Sequence, residues 1–216
     1  PEVIILGLDQ DFFMENRDDR SKVSRNYEVD ISTMGRFVKL SKAFLKDLTK
    51  NRLTFTGANE LTKNFIGATA RIHHEGYRSD GSYLYGKWIG GDQEIDNYQF
   101  ETTLKRIDKK SKVFAPSSGI NEDALEELED FLDLCTDRKI HVIAFLPPYA
   151  HKVIERFAEK AGDYPHIFKL HDRLQPLFKN RELLVFDYSD IATLDCNDYE
   201  TIDGFHGSEP CYLKLI

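Results

Sequence analysis

Long apolar runs are missing from this chain of 216 residues. No segment approaches the ~18 apolar residues of a membrane span, and no basic stretch leading into an apolar core marks a signal peptide. Cysteine is scarce. The three, Cys135, Cys196 and Cys211, form no C-x-x-C, and their odd number argues against a disulfide framework. Surplus positive charge is missing too. Formal net charge is −8, and basic residues are scattered, as at Arg52, Lys63 and Arg71. The chain therefore has no electrostatic footprint for nucleic acid or an anionic membrane surface. Low-complexity tracts and internal repeats are absent as well.

What is present fits one globular domain over residues 1–216, since this length supports a single sizeable core. The chain opens on Pro1 and ends at Ile216 within an apparent helix, which leads to the expectation that it is a piece of a longer protein. Any membrane attachment would then come from an N-terminal anchor outside it.

Three short apolar runs rich in β-branched residues read as buried parallel strands: Val3–Gly7, Ile140–Leu146 and Leu183–Asp187. Between them, Asn121 is a good N-cap for a helix with Leu125, Leu128, Leu132 and Cys135 on one face. Cys135 on that stripe reads as a small buried hydrophobe. His151–Lys160 and Ile167–Lys179 are predicted helices, with Pro176 expected to kink or end the second. Strand, helix, strand, helices, strand is the order of a doubly wound α/β sheet.

Residues 15–115 read as a long, loop-rich insertion. It is highly charged from Glu15 to Asp30 and holds a helix capped by Ser32 or Thr33, with Phe37, Leu40, Phe44, Leu45 and Leu48 at helical spacing. Gly76 to Asn97 is glycine-rich loop or short-hairpin material. Its Tyr83, Tyr85 and Trp88 are candidates for a sugar-binding cover, and Arg78–Tyr83 carries turn chemistry.

Ligands of such sheets bind beyond the carboxyl ends of the strands. Three groups fall there: Asp9 and Asp11; Pro147-Pro148-Tyr149; and the loop running to Asp203-Gly204-Phe205-His206. An Asp three residues before a His can fix its tautomer and stabilise the imidazolium, freeing the ring as a general base toward a hydroxyl. The D-x-x-H spacing alone is common, and a chance pair on a surface loop is its bland counterpart. His73-His74-Glu75 has metal-ligand residue types, but adjacent residues rarely converge on one ion, so it reads as surface. His141 reads as a core residue, His151 as a weaker site candidate, and His166 and His171 as solvated. Ser117-Ser118-Gly119 reads as helix-cap chemistry rather than an anion site.

Asp203-Gly204-Phe205-His206-Gly207-Ser208, followed by Tyr212–Ile216, resembles the last block of the SGNH (GDSL-type) hydrolase superfamily. Phe145-Leu146-Pro147-Pro148-Tyr149 resembles the proline-ended strand before that block. Val3–Phe13 resembles a strand of SGNH-like bacterial cell-envelope proteins, many of them membrane-anchored. The resemblance implies a three-layer flavodoxin-like parallel sheet with helices on both faces, lacking the first strand or two.

It also implies an acyl esterase or acyltransferase of the cell envelope acting on a small-molecule or carbohydrate ester. His206 would be general base and Asp203 its orienter, while Asp9, Asp11, Tyr149 and Ser208 would be oxyanion or substrate-binding candidates. No metal or other cofactor is implied. The family's Ser block and its oxyanion Gly block are not recognisable here, so the nucleophile is expected upstream. Asp9 falls where the family places an oxyanion Asn, and an ionised carboxylate cannot donate there. A non-catalytic SGNH-derived binding or scaffold domain is the alternative. A third reading takes Asp9-Gln10-Asp11 as resembling the first motif of haloacid-dehalogenase-type phosphatases, with Mg²⁺ between the carboxylates and phosphate.

Overall fold

A computed structural model describes residues 1–15, 41, 42, 45, 76–79, 82–85 and 98–215. The chain falls into two compact units, Pro1–Arg17 with Lys87–Ile216, and Asp18–Gly86. Of the helix expected around Phe37–Leu48, only Ser41, Lys42 and Leu45 are described, and they are helical. His73-His74-Glu75 and Trp88 lie outside the described residues.

In the second unit, strands β2 (Gly76–Tyr77) and β3 (Tyr83–Leu84) pair antiparallel, with Tyr77 opposite Tyr83. Their rings meet edge to face at 4.9 Å, a cross-strand contact that favours the pairing. This antiparallel pairing fits the short-hairpin reading of the stretch.

The first unit is built on β1 (Val3–Gly7), β4 (His141–Leu146) and β5 (Leu184–Asp187), all parallel in the order β1-β4-β5. The three expected strands are therefore present, two of them starting one residue late. The described helices of this unit are α1 (Glu101–Asp108), α2 (Glu122–Asp137), α3 (His151–Ala158), α4 (Pro165–Lys179) and α5 (Glu209–Leu213). The architecture is mixed α/β.

The α2 helix starts where its sequence says, with the Asn121 side chain accepting from the Ala124 N–H at 3.1 Å. Pro176 does not stop α4, which runs on to Lys179. It sits in the last turn, and Asp172, whose carbonyl loses the helical bond, is an exposed residue.

Side chains alternate along the strands. Val142, Ala144 and Leu146 of β4 join Leu125, Leu128 and Leu132 of α2 and Leu170, Leu174 and Phe178 of α4 in the main core. The two helices are also tied by Arg173 on Glu122, and Arg181, just past the end of α4, reaches Asp133 of α2. The α1 and α3 helices instead share a second cluster, with Phe114, Tyr149, Ala150 and Tyr164, gathered just past the end of β4.

The opposite face of the sheet stays open among the described residues. Val3 and Ile5 are 52% and 58% exposed, and Tyr212 and Leu215 flank a shallow hollow over Ile5, Ile143, Phe145, Phe186 and Tyr188. Among the described residues the main core thus fills one face, and Tyr212 of α5 approaches Phe145 on the other. His141 belongs to the open side and is exposed, not the core residue its strand suggested.

Candidate functional site at the carboxyl end of the sheet

The site begins where β1 ends. Asp9 accepts a hydrogen bond from the Asp11 N–H at 3.0 Å, folding residues Gln10–Phe13 into a single 3₁₀ turn. Gln10 points inward and is buried. Its amide donates to the Pro147 carbonyl at 2.9 Å and to the Ser189 hydroxyl at 3.1 Å. One side chain thereby stitches together the segments that leave β1, β4 and β5. Nothing in the sequence marked Gln10, because its partners lie 137 and 179 residues away.

Asp11 turns toward two buried groups. The Tyr149 hydroxyl donates to it at 3.5 Å, and His166 Nε2 stands 3.9 Å from the same oxygen. Burial, reinforced by the charges of Asp11 and Asp9, pushes the Tyr149 phenol well above its usual range, so it stays protonated. Burial also lowers His166 from 6.5 to about 4. At neutral pH that ring is uncharged, and the 3.9 Å approach to Asp11 is neither an ion pair nor a hydrogen bond. His166 is 1% exposed rather than solvated, since it lies on the packed side of α4.

Asp203 and His206 form the pair their spacing suggested. His206 Nδ1 lies 2.9 Å from Asp203 Oδ2 and 3.1 Å from Oδ1, while the N–H groups of Phe205 and His206 also donate to that carboxylate. Half-exposed to solvent, the imidazole is held above its ordinary pKa. The hydrogen bond to Asp203 is the first cause, and the charges of Asp9 and Asp11 add to it. Those two carboxylates and His206 therefore share one electrostatic neighbourhood.

The loop that carries the pair is fixed from several sides. Gly204 has φ +89°, and its carbonyl accepts from the Ala150 N–H at 2.8 Å, where the chain leaves β4. The Thr103 hydroxyl of α1 donates to the Asp203 carbonyl at 2.8 Å. Phe205 packs edge to face on Phe114, and the Arg106 guanidinium lies over both rings. The carboxylate is thus presented to His206 by backbone that α1 and the β4–α3 turn both hold.

Ser208, expected beside a substrate, is fully buried as the N-cap of α5, and its hydroxyl has no hydrogen-bond partner. Tyr149, at 3% exposure, is likewise not presented to solvent. Of the expected site residues, Asp9, Asp11, Tyr149, Asp203 and His206 gather at one end of the sheet, and Ser208 turns away beneath them.

A second imidazole–carboxylate pair, which the sequence did not suggest as a pair, lies at the start of α3. His151 Nδ1 is 2.8 Å from Asp190 Oδ2, and its Nε2 is 3.6 Å from Glu155. Asp198 accepts from the first two N–H groups of that helix, where a negative charge is favourable. This cluster serves as a helix cap and ties α3 to the β5 loop.

Ser117 and Ser118 also have structural work. The Ser117 hydroxyl donates to the Gly119 carbonyl and accepts from the Glu15 N–H, while Ser118 donates to the Glu15 carboxylate at 2.8 Å. Among the described residues, no three His, Cys, Asp or Glu side chains are grouped to hold a metal ion. No protein-family model, curated protein or solved structure matches the chain.

Proposed function

We propose that this chain is the SGNH-like part of an acyl esterase or acyltransferase of the cell envelope, with His206 as general base and Asp203 as the group that orients it. The observation that carries the reading is the two-oxygen grip of Asp203 on His206 Nδ1, at 2.9 and 3.1 Å. That grip puts the proton on Nδ1 and leaves Nε2 with a lone pair to accept one from a hydroxyl. When the ring becomes an imidazolium, Asp203 stabilises it without taking the proton.

The attacking hydroxyl in this reading comes from a serine outside the sequence described. Its oxygen would bond to the carbonyl carbon of a small-molecule or carbohydrate ester while its proton passes to Nε2, which returns it to the departing alcohol. Asp9 gives no help to an oxyanion. It is a carboxylate that accepts from its own turn, so oxyanion donors come from elsewhere. Cell-envelope placement rests on the family resemblance. The structure adds only that no helix among the described residues is long and apolar enough to cross a membrane.

The test is hydrolysis of p-nitrophenyl acetate by the full-length protein that carries this serine, native and as His206→Asn. The variant should lose about 10²–10⁴-fold in rate, the usual worth of a positioned general base, with its circular dichroism unchanged. The rate should climb with pH through a midpoint above 6.5, because the ring must be neutral to act and Asp203 raises its pKa. Equal rates for the two proteins would hand the site to the non-catalytic scaffold reading.

A further inference from the structure

We propose that Cys196 and Cys211 are a modification site, a pair of thiols that closes reversibly into a disulfide around the loop carrying Asp203 and His206. The two cysteines flank that loop in sequence and meet in space. Cys196 follows the 3₁₀ turn Ile191–Leu194, and Cys211 lies in α5. Both are buried, at 8% and 0% exposure, in a small cluster of their own with Ile191. Burial raises the Cys211 thiol and the neighbouring Cys196 adds to the rise, while the Cys196 thiol donates to the Leu194 carbonyl at 3.6 Å. Two cysteines packed in one cluster of this size need only a local shift to bring their sulfurs to covalent distance, provided their Cβ atoms are suitably placed. Cys135 belongs to the main core, apart from this cluster.

Packing alone does not account for the surroundings of the pair. The Lys214 ammonium is held beside the pair, on the carbonyl of Asp195, the residue before Cys196, at 2.9 Å and on Glu200 at 3.5 Å. An ammonium in that position supplies the counter-charge for a sulfur anion during exchange. Cys196 is also the less buried of the two, which makes it the first to meet an oxidant, while burial pushes the Cys211 thiol up to about 12.

The co-reactant is a small or protein disulfide. Cys196 gives its proton to solvent and attacks one of its sulfurs as the thiolate, forming a mixed disulfide and expelling one thiolate. The Cys211 thiol then gives up its proton to that departing thiolate and attacks the Cys196 sulfur, releasing the second thiol. Two protein thiols are oxidised and one external disulfide is reduced to two thiols. The closed ring spans residues 196–211 and holds Asp203 and His206 inside it. The bond restricts the freedom of this loop while leaving both site side chains in place. The chemistry is independent of the esterase reading, because it is read out on sulfur and not on turnover.

The test treats the folded protein with oxidised glutathione, alkylates the remaining thiols in denaturant and digests with trypsin. No Lys or Arg lies between positions 182 and 213, so Cys196 and Cys211 fall in one peptide, Glu182–Lys214. The expected result is that peptide lighter by two hydrogens and unalkylated, with Cys135 alkylated. Reduction should restore alkylation at both sites, and Cys196→Ser should leave Cys211 unable to form the ring. Amide exchange over residues 197–210 should slow by about tenfold on oxidation, as a local opening is suppressed. Alkylation of both cysteines after treatment, glutathione adducts without the ring, a bond to Cys135, or unchanged exchange would each overturn the proposal.

Discussion

His166 shows how far one buried side chain can govern the response to acid. It is 1% exposed, its Nδ1 has no hydrogen-bond partner, and burial holds its pKa near 4 against an ordinary 6.5. The sign follows from proton counting. Below pH 6.5 the unfolded chain binds a proton that the folded chain refuses, so stability falls as pH falls, and the loss stops growing near 4. For a shift of this size the cost is about 3 kcal/mol at pH 4.

His151 and His206 act in the opposite sense. Both are raised by carboxylate partners, so their stabilisation is full below pH 6.5 and fades as pH rises through their folded values. Urea unfolding at pH 7 and pH 4 on the native protein and on His166→Gln isolates the buried ring. The native protein should lose about 3 kcal/mol more than the variant over that interval. Identical losses would mean that His166 takes up its proton in the folded state.

At the scale of elements, the loop 201–207 is the most tightly specified part of the site. Gly204 occupies φ +89°, and a Cβ there would lie 2.8 Å from Val153 Cγ2 and 3.0 Å from Phe100. Gly204→Ala should therefore cost at least about 1 kcal/mol from backbone strain, before any clash is counted. Thermal melting gives that cost, and the His206 imidazole shifts in NMR report whether the Asp203 contact loosens. A variant with native Tm and native shifts would refute the argument.

Element by element, the sequence was legible where a periodic signal and a cap coincided. The α2 helix has both, in Asn121 and its leucine stripe, and the three strands are short, mainly apolar runs. The α1 helix has neither. Its first flanking residue, Phe100, offers no capping side chain and takes a left-handed φ of 62°, which only packing imposes. The hairpin partner of Tyr77 and the pairing of His151 with Asp190 are likewise set by neighbours that spacing does not reveal.

For the whole molecule the main asymmetry is the sheet. One face is packed by α2 and α4, while the other exposes aliphatic and aromatic side chains among the described residues. Parallel sheets ordinarily bury both faces, so these side chains contribute little to stability as they stand. Ile5→Thr should change unfolding free energy by no more than about 0.5 kcal/mol, while Leu132→Ala, from the packed face, should cost about 2–5 kcal/mol. Equal losses in parallel urea titrations would show that the open face is covered in solution.

The sequence by itself determined the α/β class, the three parallel strands, the cap of α2 and the Asp203/His206 pair. These rest on short-range rules: apolar runs, helical period, and an Asp three residues from a His. Tertiary structure alone decided that Gln10 joins three strand ends, that His166 is buried beside Asp11, that Ser208 faces inward and that Cys196 meets Cys211. Each depends on which distant segments are packed side by side, and such contacts leave no local period in the chain to read.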